Sequence, residues 1–408
     1  MYKNMKNNLI KSLPKLQVPL FNYVNYIRYF NSAEIEIMAH LLFNSEEWNH
    51  HYSTEHHHDV HYLINELWKI FVYYCSPISL KNIPYQMNIT LLARSGLFFS
   101  KLTELECDNS SRYDQELVTS TYKAIAKICR NIQKINVNRF EVDNEGLAYL
   151  IKVQNGLKEV NIVMDENNSY TNVFREIRSQ SRSLNQLSFS GIVRLPNEIF
   201  TSMSNLKSLH LKLIHECGIR HKKESYEVLP LNLMRALENA SLPNLERFSL
   251  KYNNDISVPW FQPLHIFQKL ISTTRNGSLR KIDIESKLSI YPDSHIHAYM
   301  KTITTFCPSL EFLGICNRRR YTKILELLAD QSPDSLHKLY LKNPLYIIKY
   351  NLWDFLDMWK NNGRSLLHLE LIGMIEVKEE YEEVFEKFIR KNILLKYSAI
   401  KGKSFCNL

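Results

Sequence analysis

Glycine is scarce in this 408-residue chain: there are ten, and none cluster. Phosphate-cradling loops need closely spaced glycines so that backbone amides can approach the anion, and no G-x-G-x-x-G turn or P-loop is present. The G-x-S-x-G elbow of serine hydrolases and the H-E-x-x-H zinc pair are missing as well. The seven cysteines (Cys75, Cys107, Cys129, Cys217, Cys307, Cys316 and Cys406) include no C-x-x-C pair. An odd, scattered set without a secretion signal argues for reduced thiols. No apolar run approaches the roughly 18–20 residues that span a bilayer. The best candidate, Leu67 to Cys75, is interrupted by Lys69. The N-terminal Met1-Tyr-Lys-Asn-Met-Lys is basic but has no apolar signal core after it. The expectation is a non-enzymatic chain of the cytoplasm or nucleus, with no catalytic, cofactor or metal site.

One segment resembles a metal site in composition. His50, His51, His56, His57, His58 and His61 lie within a polar stretch from Trp48 to His61. His57 and His61 are four apart and would share a helix face. Most of the others are consecutive, so their side chains point apart, whereas a closed zinc site needs four fixed ligands. The segment reads as a solvated linker and helix start. The formal charge of +9 is spread along the chain. It favours acidic partners, and nucleic acid is a secondary reading.

What the chain has in abundance is one six-residue frame, Leu-x-x-Leu-x-Leu. It stands as Leu336-x-x-Leu339-x-Leu341 and recurs from Leu102, Ile132, Leu157, Leu184, Leu206, Leu245, Leu279, Leu310 and Leu366. Those ten copies are 22 to 39 residues apart, mostly with a helical pattern before the next. That periodicity predicts an α/β leucine-rich-repeat solenoid, a curved parallel strand ladder backed by helices. Frame positions 1, 4 and 6 are expected in the core. Cys107 holds such a position, and Cys129 and Cys307 end the preceding segments, so all three read as small core residues. Helical stripes are expected at Val118, Tyr122, Ile125 and Cys129, at Ile324, Leu325, Leu327 and Leu328, and at Leu352, Phe355, Leu356 and Trp359.

The expected organisation is a loose leader over 1–18, a helical N-terminal cap over 19–92, repeats over 93–400 and a tail over 401–408. In the cap, Ile35, Met38, Leu41 and Leu42 give one helical face and Leu63, Leu67, Ile70 and Tyr74 another, with a connection over 76–88. The polar run His215 to Tyr226 reads as a loop insertion. Leu195-Pro-Asn-Glu-Ile199 reads as a loop and helix start, and Ile393 to Tyr397 as a final strand.

Alternate strand residues are free of the core and would line the concave face of the solenoid. In the first repeats they are mixed and polar. From His210 onward they become basic with aromatic interruptions: His210, Lys212, Arg247, Lys251, Lys281, Phe312, Lys338, Tyr340 and Lys342. These nine are the candidate partner-binding residues. Arg318-Arg319-Arg320 follows one strand and reads as a solvated turn.

Several phrases resemble the fungal F-box/leucine-rich-repeat proteins. They are Pro19-Leu-Phe-Asn-Tyr-Val24, Leu102-Thr-Glu-Leu-Glu-Cys107, Ile128-Cys-Arg-Asn-Ile-Gln133, Val153-Gln-Asn-Gly-Leu-Lys158, Phe306-Cys-Pro-Ser-Leu-Glu311 and Phe355-Leu-Asp-Met-Trp-Lys360. The resemblance implies a module that captures a protein substrate for a Skp–cullin–F-box ubiquitin ligase. In that family an F-box of about forty residues precedes the repeats, opening on Leu-Pro. Leu13-Pro14 lacks the helices that should follow, and the expectation is a chain that starts just after the F-box. Skp adaptor and cullin are implied as partners only through an F-box encoded upstream. The alternative is a stand-alone repeat module for RNA or an acidic protein surface.

Overall fold

The structure is a computed structural model. It describes residues 26–42, 54–83, 95–111, 113–164, 171–191, 195–214, 233, 235–253, 263–274, 277–285, 293–316, 321–342, 349–364, 367–372, 379–391 and 393–400. The leader, the tail, His50, His51, the run 215–226 and Arg318–Arg320 lie outside these residues, as do the side chains of the remaining clustered histidines. The chain divides into two compact units, Met1–Leu157 and Lys158–Leu408.

The first unit carries strands β1 (Tyr29–Asn31), β2 (Ser79–Lys81), β3 (Glu104–Asp108) and β4 (Lys134–Phe140). They pair in parallel in chain order. Helices Ser32–Leu42, Thr54–Tyr74, Ser95–Phe99, Gln115–Ile128 and Glu145–Lys152 alternate with them. Side-chain caps start the last two. The Asp114 carboxylate accepts from the amides of Glu116 and Leu117 at 2.9 and 3.3 Å, and the Asn144 carbonyl oxygen accepts from Gly146 and Leu147 at 2.9 and 3.1 Å.

The second unit carries β5 (Glu159–Met164), β6 (Gln186–Gly191), β7 (Ser208–Ile214), β8 (Arg247–Asn253), β9 (Lys281–Glu285), β10 (Phe312–Cys316), β11 (Lys338–Lys342), β12 (Leu367–Ile372) and β13 (Leu394–Ile400). Each pairs in parallel with the next. Parallel neighbours need a crossover, and helices such as Asp293–Phe306, Thr322–Gln331 and Lys349–Asn361 supply it. Strand, crossover and parallel strand, repeated on one hydrophobic frame, are the leucine-rich-repeat architecture.

The frame sets the core. Positions 1, 4 and 6 are buried in every copy, from Leu102, Leu105 and Cys107 to Leu336, Leu339 and Leu341. In the last copy Leu369 and Leu371 are buried, and Leu366 lies outside the described residues. Each buried leucine contributes about 1.5–3 kcal/mol relative to exposure. The stripes Val118/Tyr122/Ile125/Cys129 and Leu352/Phe355/Leu356/Trp359 are buried against them, whereas Leu327 is only half-buried beside Ile324, Leu325 and Leu328.

Backbone hydrogen bonds join most neighbouring repeats within each unit in one way. The carbonyl at frame position 2 accepts the amides of positions 2 and 3 of the next copy. Thr103 takes Gln133 and Lys134, Lys158 takes Asn185 and Gln186, and Glu246 takes Arg280 and Lys281. The same joint identifies two copies that the leucine pattern hides. Arg28 accepts from Ile78 and Ser79, and Ile78 accepts from Thr103 and Glu104. These copies underlie β1 and β2, so the segment expected as a connection over 76–88 contains a strand.

Two expected helix faces shift. In helix Thr54–Tyr74 the buried stripe is Val60, Leu63, Ile64, Trp68 and Val72, and Tyr74 is exposed. Trp68 meets Phe30 at 5.2 Å and Phe98 at 6.2 Å between ring centroids, and this aromatic contact fixes the helix rotation. In helix Ser32–Leu42, Ile35 is buried and Met38 exposed. Residues 197–202 form turns where a helix start was expected, yet Leu195, Ile199 and Phe200 are still buried. Cys75, Cys107, Cys129, Cys307 and Cys316 are buried, and burial pushes the Cys107, Cys129 and Cys307 thiols up to about 12. No described helix is long and apolar enough to cross a membrane.

Candidate functional site

Frame positions 3 and 5, and the residue after position 6, point away from the core and form three rows across the strands. Parallel register fixes who stands beside whom. In the second unit the first row reads Gln186, Ser208, Arg247, Lys281, Phe312, Lys338 and His368. The second row reads Ser188, His210, Ser249, Asp283, Gly314, Tyr340 and Glu370. The third contains Ser190, Lys212, Lys251 and Glu285, and further on Cys316, Lys342 and Ile372.

All nine sequence-selected residues fall on this face, but their environments differ. Lys212, Arg247, Lys251 and Lys281 are exposed, while His210, Lys338 and Tyr340 are half-buried. Phe312 is 8% exposed and Lys342 only 7%. The basic reading of Lys342 therefore changes. Its ammonium lies 2.7 Å from Asp283 Oδ1 and 3.2 Å from Glu285 Oε2. Burial alone would lower its pKa, but the two carboxylates outweigh burial and hold it above the ordinary value. Glu285 also approaches Lys251, at 3.7 Å.

Lys342 sits on β11 and Asp283 on β9, so the ion pair spans an intervening strand, about 10 Å from backbone to backbone. Gly314 on β10 makes the crossing available. A β-carbon there would collide with the Asp283 carboxylate oxygen and press on Phe312. The ends of β10 and β11 are tied from below by the buried Tyr321, whose hydroxyl lies 2.7 Å from the Lys342 carbonyl and 3.1 Å from that of Ile315.

Beside this network the rings stand in file. Phe312 meets Tyr340 edge-on at 4.5 Å between centroids, and Tyr340 meets His368 at 6.4 Å. The Lys281 ammonium lies over the Phe312 ring at 4.4 Å and that of Lys338 over Tyr340 at 5.7 Å. Such contacts hold a cation in place without neutralising it. Burial, then the neighbouring Glu370, push the Tyr340 phenol up to about 12. His210 is held below its ordinary pKa by burial first and by Arg247 and Lys281 next.

The sequence selection left out Asp283, Glu285, Gly314, His368 and Glu370. Four of these occupy outward positions of the frame, so the row reading reaches them. Their pairing is not in any single repeat, because Asp283 and Lys342 are 59 residues apart. Among the described residues no group of three or more His, Cys, Asp or Glu could hold a metal ion.

No family model matches this chain, and no curated protein matches it. Among solved structures it is similar to the leucine-rich repeat-containing protein LegL7 from Legionella pneumophila, at 12% identity over 79% of this chain and 88% of that one, with a TM-score of 0.41. It is also similar to a Bacteroides fragilis protein, at 13% identity over 79% of this chain and 75% of that one, with a TM-score of 0.39. On the evidence of its own frame, parallel register and backing helices, the chain is an α/β leucine-rich-repeat protein.

Proposed function

We propose that this chain is a non-catalytic protein-binding scaffold that receives its partner on the outward face of β7–β12. The observation that carries this reading is the file of Phe312, Tyr340 and His368 with ammonium groups fixed above its rings. Phe312 is buried and Tyr340 and His368 are half-buried, so these rings are held in one geometry by one another and by the two lysines. Aromatic and cationic side chains that lose little freedom on binding are the usual anchors of protein interfaces.

The resemblance to F-box/leucine-rich-repeat proteins supports a narrower reading. The scaffold would select a protein substrate in the cytoplasm or nucleus for a Skp–cullin–F-box ligase, joined to it through an F-box encoded upstream. Co-purification of the Skp adaptor with the chain expressed from its full genomic locus is the outcome expected for that role. Isolation of abundant folded protein without the adaptor removes it.

The broader reading is tested by photo-crosslinking in the host cell with benzoylphenylalanine at Tyr340 or at Tyr149. Tyr149 is exposed on helix Glu145–Lys152 and serves as a reference position. A discrete partner captured from Tyr340 alone is expected. Equal capture from both positions would count against the outward face.

A further inference from the structure

The middle of this face departs from its surroundings in charge order. In the first row Arg247 stands directly opposite Lys281, and in the third row Lys212 stands directly opposite Lys251. All four side chains are exposed. Like charges in register on neighbouring strands destabilise a sheet. The other cross-strand neighbours of Arg247 and Lys212 are Ser208 and Ser190, so no carboxylate stands beside either. Between the two cationic rows lies the second row, here Ser188, His210 and Ser249. The first and third rows are four residues apart along each strand, or about 13 Å. The result is a polar trough crossing β7, β8 and β9, with Lys212 and Lys251 along one side and Arg247 and Lys281 along the other; only β8 carries a cation on both sides. Asp283 and Glu285 close it at β9.

We propose that this trough seats an extended acidic peptide segment lying across the strands. Its carboxylates face Arg247 and Lys281 on one side and Lys212 and Lys251 on the other. An extended chain sends successive side chains to opposite sides every ~3.4 Å, which suits two flanking rows better than one. Ser188 and Ser249 on the floor are short and polar, and His210 between them is tied through Nε2 to Ser208 Oγ, 2.7 Å away. Bound carboxylates also remove the repulsion that the empty face carries. A single nucleic-acid strand fits less well. It brings one file of phosphates and needs open aromatic faces for base stacking. Here the faces of Phe312 and Tyr340 are occupied by Lys281 and Lys338. The inference rests on the protein-binding reading above and gives it a partner class.

The test is fluorescence anisotropy of a labelled oligo-glutamate peptide with the full chain. Saturable binding that weakens with salt is expected. The variants Arg247→Gln/Lys281→Gln and Lys212→Gln/Lys251→Gln should each bind about tenfold more weakly or worse. Lys269→Gln/Lys301→Gln, which removes the same charge from exposed positions on two helices, should bind as the wild type does. Both trough variants should unfold cooperatively near the wild-type temperature, which shows that they fold, because each loses a like-charge neighbour together with a favourable contact, Lys251 with Glu285 or Lys281 with Phe312. Equal weakening in the helix variant overturns the proposal, as does tighter binding of an oligouridylate of matched charge. If the peptide fails to bind while Tyr340 still captures a partner, the acidic-segment inference falls and the protein-binding reading stands. If both fail, both fall.

Discussion

The two units use the same frame and fill their outward rows differently. In the first unit, cross-strand neighbours have opposite charge: Lys81 stands opposite Glu106 and Glu104 opposite Lys134. Glu106 also approaches the Lys81 ammonium at 3.5 Å and accepts from Asn138 at 3.1 Å. In the second unit, Arg247 faces Lys281 and Lys212 faces Lys251, and Lys342 reaches across a strand to find its carboxylates. The inward residues of both units are equally well buried. The ladder is thus indifferent to what its outward rows carry. One unit fills them with pairs that steady the sheet; the other has such pairs too, Lys251 with Glu285 among them, but also sets Arg247 beside Lys281 and Lys212 beside Lys251. Retaining such a local conflict in a well-packed scaffold marks a surface shaped for something other than stability.

The comparison breaks most visibly at Lys342. Lys342→Ala leaves Asp283 over Gly314 without its cation, and a loss of about 3 kcal/mol is expected in urea unfolding. Lys342→Met, which restores the packing of the stem, should lose less. In the first unit, Glu106→Gln removes a pair between the exposed Lys81 and the half-buried Glu106 and should cost about 1 kcal/mol or less. The pH dependence of the Lys342 effect has a definite sign. The folded-state pKa is raised, so the stabilisation is complete below the ordinary lysine value of about 10.4 and is lost as pH rises through the folded value. The gap between wild type and Lys342→Met should therefore close in alkali.

A smaller effect is expected at Gly314. Gly314→Ala forces the Asp283 carboxylate aside and should cost about 1–3 kcal/mol. Combined with Lys342→Met it should cost less than the sum of the two, because the ion pair has already gone. Strict additivity would show that Gly314 has no part in the crossing.

The finest test exchanges the charge logic of the two units. Arg247→Glu puts opposite charges across β8 and β9 and should stabilise by about 0.2–1 kcal/mol. Glu104→Lys puts like charges across β3 and β4 and should destabilise by about as much. Denaturant midpoints moving in the same direction for both would erase the distinction between the units.

Most of the ladder was legible in the sequence because its core needs only apolar residues at fixed offsets. Where position 1 or 6 departs from that rule, the copy disappears. Position 1 of the copy behind β2 is Pro77 and position 6 is Asn82, while position 6 of the copy behind β1 is Ser32. Both strands are only three residues long, with one buried apolar residue each, Phe30 and Leu80. The sequence periodicity places the face of helix Thr54–Tyr74 one position off, because Leu63, Leu67, Ile70 and Tyr74 repeat as regularly as the buried set. The contacts of Trp68 with Phe30 and Phe98 decide between them. The candidate site was legible as positions and not as partners. The outward rows identify Lys342 as a lysine beside the frame, but its burial depends on a glycine and a carboxylate from two other repeats.

The joint at frame position 2 bears on how such a chain can be lengthened or rebuilt. It consists of one carbonyl and two amides, so neither of the repeats it links needs any particular side chain to make it. Glu246 accepts from its successor in the way Lys158 does, although 34 residues separate Leu245 from Leu279 and 27 separate Leu157 from Leu184. A connector that ignores both identity and length works like a standard coupling between units of different make. Repeats could be duplicated, removed or exchanged between such proteins with the seam intact. Variation would then concentrate where the coupling does not reach, in the outward rows.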